Sequence, residues 1–127
     1  MTDTTRPRLL LVDDDESLRQ LFATVLDASG FEVVAQAGDG RSGVQLFTAH
    51  SPDMVLLDIE MPVMNGIQAL KTMMKNNPKA VVVMLTSIQS VGVWDDCLLA
   101  GATGYIRKDT PLMEIPSQLM KLWKGTR

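Results

Sequence analysis

Met54-Val55-Leu56-Leu57-Asp58-Ile59-Glu60-Met61-Pro62-Val63-Met64-Asn65-Gly66 is the stretch that sets the architecture. Four consecutive apolar residues with no period-two alternation read as a strand buried on both faces. The run stops at Asp58. Ile59 to Asn65 reads as a loop with Pro62 in its middle, and Asn65 as the cap of a helix carrying Ile67, Leu70, Met73 and Met74. Pro78 lies just past the end of that helix.

The same pattern repeats on either side. Arg8 to Val12 is an apolar run ending at Asp13, and the helix after it carries Leu18, Leu21, Phe22, Val25 and Leu26. Asp14 or Asp15 can cap that helix and Gly30 can stop it. Glu32 to Gln36 reads as a second strand. Asp39 then caps a short helix with Val44, Leu46 and Phe47, broken by Ser51-Pro52-Asp53. Ala80 to Leu85 is the fourth and most apolar strand, ending at Thr86-Ser87. A helix over Val91 to Ala100 follows, stopped by Gly101. Gly104 to Ile106 is a short fifth strand ending before Lys108, and Thr110-Pro111 opens the last helix with Pro111 as its first helical residue. Five β-α units with short connections imply an α/β fold, a parallel sheet covered by helices on both faces. Right-handed crossovers narrow the topology.

Composition agrees. The chain has 127 residues, enough for one domain, with 46% apolar and 21% charged residues, which excludes disorder of the whole chain. A net charge of −3 argues against direct nucleic-acid binding, which needs clustered positive charge. No apolar run approaches the roughly 20 residues of a membrane span, so no membrane insertion is expected. Met1 to Arg8 has no signal-peptide core. The single cysteine, Cys97, excludes an internal disulfide and a cysteine zinc site. These features point to a cytoplasmic protein. We expect one unit over residues 6–124, with flexible ends at 1–5 and 125–127.

Polar residues gather at the predicted strand ends: Asp13 and Asp14, Asp58, Thr86 and Ser87, and Lys108. In a parallel sheet these C-terminal ends share one edge, where open α/β sheets bind ligands. Three carboxylates in one cleft repel, and without a cation one tends to keep a proton. Few protein oxygens in a solvent-open cleft favour Mg²⁺, with Mn²⁺ as a substitute. The set lacks a histidine base and a positioned cysteine or serine nucleophile. It suits phosphoryl transfer: a carboxylate nucleophile, a metal, a lysine and a hydroxyl for the equatorial oxygens.

Leu11-Val12-Asp13-Asp14-Asp15, Asp58-Ile59-Glu60-Met61-Pro62-Val63-Met64-Asn65-Gly66, Leu85-Thr86-Ser87 and Gly101-Ala102-Thr103-Gly104-Tyr105-Ile106-Arg107-Lys108 resemble the receiver domain of bacterial response regulators over about residues 8–122. The resemblance implies a flavodoxin-like (βα)5 sandwich with a five-stranded parallel sheet in order 2-1-3-4-5. It implies that Asp58 accepts a phosphoryl group from a histidine kinase or a histidine phosphotransfer protein. Asp14 would bind Mg²⁺ directly, Asp13 would help through water, and Asp58 and the backbone carbonyl of Glu60 would complete the ligands. Lys108 and Thr86 would contact phosphoryl oxygens. Thr86 would move to do so and Tyr105 would rotate inward, changing the face made by the fourth helix, fifth strand and fifth helix. That face would control a protein partner, and a homodimer through it is one arrangement open to the chain. Glu60, Ser87 and Ile88 would flank the phosphoryl group and set the lifetime of the acyl phosphate. The expected role is signalling, with self-phosphorylation from small donors and self-dephosphorylation, and not metabolic catalysis.

Two departures from the family pattern stand out. Asp109 follows Lys108 where many receivers carry proline, so a trans Lys108-Asp109 bond is expected. Pro116 falls beyond the free first turn if the last helix starts at Pro111, so that helix is expected to kink or to start later, near Ile115. Trp94 and Trp123 could serve the partner face or pack locally. His50, before Ser51-Pro52, is expected on the surface, and the nine methionines as core filler. Two rival readings remain: a receiver fragment of a larger DNA-binding regulator or hybrid kinase, and an aspartyl-phosphate phosphohydrolase. The latter would need a cap over the site, for which 127 residues leave no room.

Overall fold

The computed structural model describes residues 6–61, 63–87 and 91–126. Five strands alternate with five helices: β1 Arg8–Val12, α1 Glu16–Asp27, β2 Glu32–Ala37, α2 Gly40–His50, β3 Met54–Asp58, α3 Gly66–Asn76, β4 Val81–Thr86, α4 Val91–Leu99, β5 Gly104–Arg107 and α5 Ile115–Gly125. All strand pairs are parallel, in the order β2-β1-β3-β4-β5. The direction of winding reverses between β1 and β3, which opens a crevice above their carboxyl ends. None of the described helices is long and apolar enough to cross a membrane.

Pleating divides the apolar strand residues between two cores. Leu9, Leu11, Leu56, Val83 and Leu85 face Phe22 and Leu26 of α1 and Leu119 and Trp123 of α5. Leu10, Val12, Val55, Leu57, Val82 and Met84 face Phe47 of α2, Leu70 and Met73 of α3, and Cys97 of α4. This is why the central strands read as continuous apolar runs. Each such leucine or valine contributes roughly 1.5–3 kcal/mol by burial. Trp123 therefore packs locally in a core, and of the two tryptophans only Trp94 is left near the outer face.

Capping residues set where the helices begin. Asp15 accepts the Leu18 N–H at 3.1 Å, Asp39 accepts that of Ser42 at 2.8 Å, and Asn65 and Gln68 form a reciprocal capping box. The choice of Asp15 as the α1 cap leaves Asp13 and Asp14 available for other work.

The last helix departs from the Pro111 start. Pro111 stands extended ahead of a 3-10 turn, Leu112–Glu114, and α5 begins at Ile115. Pro116 thus sits in the first turn, where its missing N–H has no intrahelical partner to lose. Two prolines five positions apart cannot both occupy the first turn of one helix, and the later one wins because inside a helix it would also clash with the preceding turn. The expected later start near Ile115 is the one adopted. Among the described residues no peptide bond is cis, including Lys108-Asp109.

Two loops at the crevice depend on close backbone approach. A Cβ on Gly66 would lie 2.2 Å from the Asp58 carbonyl oxygen, and one on Gly40 would lie 2.2 Å from that of Met64. Gly66 donates its N–H to the Ile59 carbonyl at 2.8 Å, which folds the β3–α3 loop back on the strand end that carries Asp58. Gly66→Ala is expected to cost about 2 kcal/mol or more in urea unfolding, through backbone displacement. Gly125→Ala, whose Cβ would meet nothing, is expected to be neutral or to stabilise by up to about 1 kcal/mol.

Candidate functional site

Parallel pairing places the ends of β1, β3, β4 and β5 on one rim, and the polar residues that terminate them meet there. Asp13 directly follows β1, Asp58 is the last residue of β3, Thr86 the last of β4, and Lys108 directly follows β5. Asp13 and Asp58 are 2% and 1% exposed, whereas Asp14 is open to solvent. Carboxylate oxygens of all three lie within 4.8 Å of one another. The Lys108 ammonium reaches in from β5, 3.0 Å from Asp58 Oδ2 and 3.5 Å from Asp13 Oδ2. Its own N–H donates to the Thr86 carbonyl at 2.9 Å, which ties the lysine to the end of β4.

Backbone donors orient the two buried carboxylates. Glu60 N–H donates to Asp58 Oδ1 at 3.1 Å, and Asp15 N–H donates to Asp13 Oδ1 at 2.9 Å. Asp13 Oδ2 is buried without a hydrogen bond. Its ion pair with the Lys108 ammonium at 3.5 Å is long and shared with Asp58, so that oxygen is only partly compensated. With the exposed Asp14 at the mouth, the three make an all-oxygen donor set of the kind that hard divalent cations take. The residues present therefore fit Mg²⁺ or Mn²⁺.

Burial pushes the Asp58 carboxyl up to about 6, and the Asp13 charge pushes the same way, while the hydrogen bond and charge of Lys108 and the Glu60 N–H pull it back. For Lys108, burial disfavours the ammonium, but the hydrogen bond and charge of Asp58, with Asp13 behind it, outweigh that and leave it above the ordinary lysine range. Two negative charges side by side with one positive charge describe the cleft: it resists holding Asp58 ionised until more positive charge arrives.

The remaining candidates divide. Thr86 is buried at the rim, and Ser87, which follows it, and Glu60, two residues past Asp58, are exposed. Ile88 lies outside the described residues. Tyr105 is 46% exposed and turned away from the cleft, its ring 4.6 Å from that of Trp94 on α4 at a tilt of 55°. Asp109 does not compete for Lys108: its carboxylate forms a two-point pair with Arg107, one contact being Nε to Oδ1 at 2.9 Å. His50 closes α2 at the opposite end of that helix from the rim and is half-buried. Sequence reasoning missed the Glu60 amide, the contact of Trp94 with Tyr105, and Arg19, which donates to the Asp13 carbonyl at 2.7 Å. The last two are side-chain contacts between separate elements, and no local pattern announces them.

The chain matches the family model for the response regulator receiver domain over residues 9–120. It is 39% identical over 101 residues to the chemotaxis protein CheY of Bacillus subtilis, covering 80% of this chain and 84% of that one. The response regulator domain of Thermotoga maritima CheB superposes with a TM-score of 0.84 at 32% identity, covering 95% of this chain and 96% of that one. A CheX–CheY–BeF3–Mg²⁺ complex from Borrelia burgdorferi contains a chain that matches with a TM-score of 0.86 at 29% identity, covering 91% of this chain and 88% of that one.

The raised Asp58 carboxyl has a consequence for stability. An acid with a higher pKa when folded binds its proton more tightly in the folded state, so its contribution is favourable below pH 4 and is lost as pH rises from 3.8 to about 6. In metal-free buffer at pH 7, Asp58→Asn is expected to be more stable than wild type by up to about 3 kcal/mol, the gap closing towards pH 4. Urea unfolding across that pH range measures it. Equal stability at pH 7 would mean that Asp58 ionises in the cleft without penalty.

Proposed function

This chain belongs to the response regulator receiver domain family, the receiver module of two-component signalling, and we propose that it is a phosphoacceptor switch that takes a phosphoryl group on Asp58. The observation that carries this reading is the Lys108 ammonium held 3.0 Å from a buried Asp58, within a trio of carboxylates whose oxygens lie within 4.8 Å. A carboxylate buried among like charges is a poor resident and a good nucleophile once the surrounding charge is balanced.

Asp58 attacks the phosphorus of a phosphohistidine on a kinase or phosphotransfer protein. The new O–P bond forms as the N–P bond breaks, and the imidazole leaves, taking up a proton. Water later cleaves the acyl phosphate to return the carboxylate and inorganic phosphate. Asp13, Asp14, Asp58 and the Glu60 carbonyl would hold Mg²⁺, which would supply positive charge to offset the negative charge of the site. Lys108 exchanges its contact with Asp58 for one with a phosphoryl oxygen and steadies the charge there. The Thr86 hydroxyl donates to another. Glu60 and Ser87, exposed just past the ends of the strands that carry Asp58 and Thr86, govern access of the hydrolytic water.

The new charge is read out at a distance from the cleft. Thr86 ends β4 and pairs across to Arg107, two residues beyond Tyr105 on β5. Movement of Thr86 toward the phosphoryl group makes room for the Tyr105 ring, which leaves Trp94 and turns inward. The altered face of α4, β5 and α5 then engages a protein target in the cytoplasm. The activity is a signalling one: the covalent step changes the protein itself, and its reversal resets it.

Incubation with acetyl phosphate and Mg²⁺ is expected to add one phosphoryl group by intact mass, absent in Asp58→Asn and formed about a hundredfold more slowly in Lys108→Met. A full-rate adduct in Asp58→Asn would place the acceptor elsewhere. Trp94 emission should change when the acyl phosphate forms, because Tyr105 packs on that ring. Trp94→Phe is expected to abolish the change and Trp123→Phe to keep it. An unchanged spectrum in fully phosphorylated wild type would remove Tyr105 from the switch.

A further inference from the structure

We propose that Arg19 is a positioning residue for the acidic trio, holding the Asp13 backbone so that one carboxylate oxygen faces the cation site. The inference rests on reading Asp13, Asp14 and Asp58 as that site.

Arg19 lies in the first half of α1, partly buried, and its guanidinium is held at two points. Nη1 donates to the Asp13 carbonyl at 2.7 Å, and Nε donates to Gln36 Oε1 on β2 at 3.2 Å. The rest of Asp13 is also engaged. Its N–H donates to the Ala37 carbonyl at 3.0 Å, and its Oδ1 accepts from Asp15 N–H at 2.9 Å. Every polar group of Asp13 thus has a hydrogen bond except Oδ2, which is buried and lies 3.5 Å from the Lys108 ammonium. Asp13 follows the last residue of its strand, so its carbonyl has no ladder partner of its own, and Arg19 supplies one.

A planar guanidinium fixed at two points is pre-organised, unlike a single flexible donor. The Asp15 N–H on Oδ1 sets the rotation of the carboxylate, and the bonds to Arg19 and Ala37 hold the backbone from which that side chain projects. The charge balance points the same way. Among the described residues Arg19 pairs with no carboxylate, so its cation is directed at a carbonyl and an amide. It fixes the geometry of the trio from behind and leaves the negative charge for the metal.

The test is Mn²⁺ binding to the full chain, read from the EPR signal of free Mn²⁺, with apo-protein circular dichroism and thermal unfolding in EDTA alongside. Arg19→Met keeps the length and apolar stem and removes the donors; it is expected to weaken Mn²⁺ binding about tenfold. Arg19→Lys should recover part of the loss through one bond to the Asp13 carbonyl. Gln36→Ala, which loosens the second anchor without touching Asp13, should weaken binding two- to threefold. A folded Arg19→Met that binds Mn²⁺ within twofold of wild type overturns the proposal. If Arg19→Met does not fold, wild-type affinity in Gln36→Ala overturns it. Asp14→Asn separates the two layers. If it leaves wild-type Mn²⁺ affinity intact, the metal reading itself fails and takes the proposal with it. If Asp14→Asn abolishes binding while Arg19→Met does not weaken it, only the role of Arg19 fails.

Discussion

Like charges forced together at one rim of the sheet are the constraint around which this molecule is organised. Asp13 and Asp58 are nearly inaccessible to solvent, Asp14 stands at their edge, and Lys108 reaches in against them. Burial alone would keep Asp58 protonated well above the ordinary carboxylate range, and the Asp13 charge adds to that. The lysine corrects the imbalance only in part. Such a cleft is unfavourable on its own and is relieved by positive charge, which is what a divalent cation would bring.

The scaffold meets the cost of this arrangement with two apolar cores and close-fitting loops. β3 is buried along its whole length, so Asp58 sits at the end of one of the best-packed segments of the chain. Gly66 lets the β3–α3 loop fold onto the Asp58 carbonyl, and the capping box at Asn65 starts the next helix immediately afterwards. On the other side of the crevice, the α1 cap falls on Asp15 and the bonds around Asp13 leave one oxygen unbonded. Asp58 and its neighbours are therefore placed by backbone hydrogen bonds and rigid strands, which is how a site held to fractions of an ångström must be built.

On the outer face the exposed Tyr105 rests on Trp94, a tilted aromatic contact of the kind worth about 0.5–1.5 kcal/mol. That energy is small beside the cost of burying charge, so occupation of the cleft can outweigh it. In the proposed reading the Trp94 contact is what holds the tyrosine out until Thr86 moves. Trp123, by contrast, is committed to the core under α5. Asp109, which stands where many receivers carry proline, is drawn to Arg107 and leaves Lys108 to Asp58.

Alternating apolar runs and helical spacings determined the order of the elements, the parallel sheet and the edge on which chemistry would gather, because burial on both faces of a strand leaves a local and continuous signature. Caps such as Asp39 and Asn65 were equally legible, since a cap bonds only a few residues away. The acidic residues and Lys108 could be assigned to one rim because parallel strands all end on the same side. What local pattern left open was settled by packing. Pro111 and Pro116 are each acceptable helix starters alone, and only the turn of chain between them decides for Ile115. The capping role of Asp15, the two-point hold of Arg19, the diversion of Asp109 to Arg107 and the contact of Tyr105 with Trp94 arise from side chains choosing among several partners. Such choices depend on distance in space, and sequence spacing does not encode it.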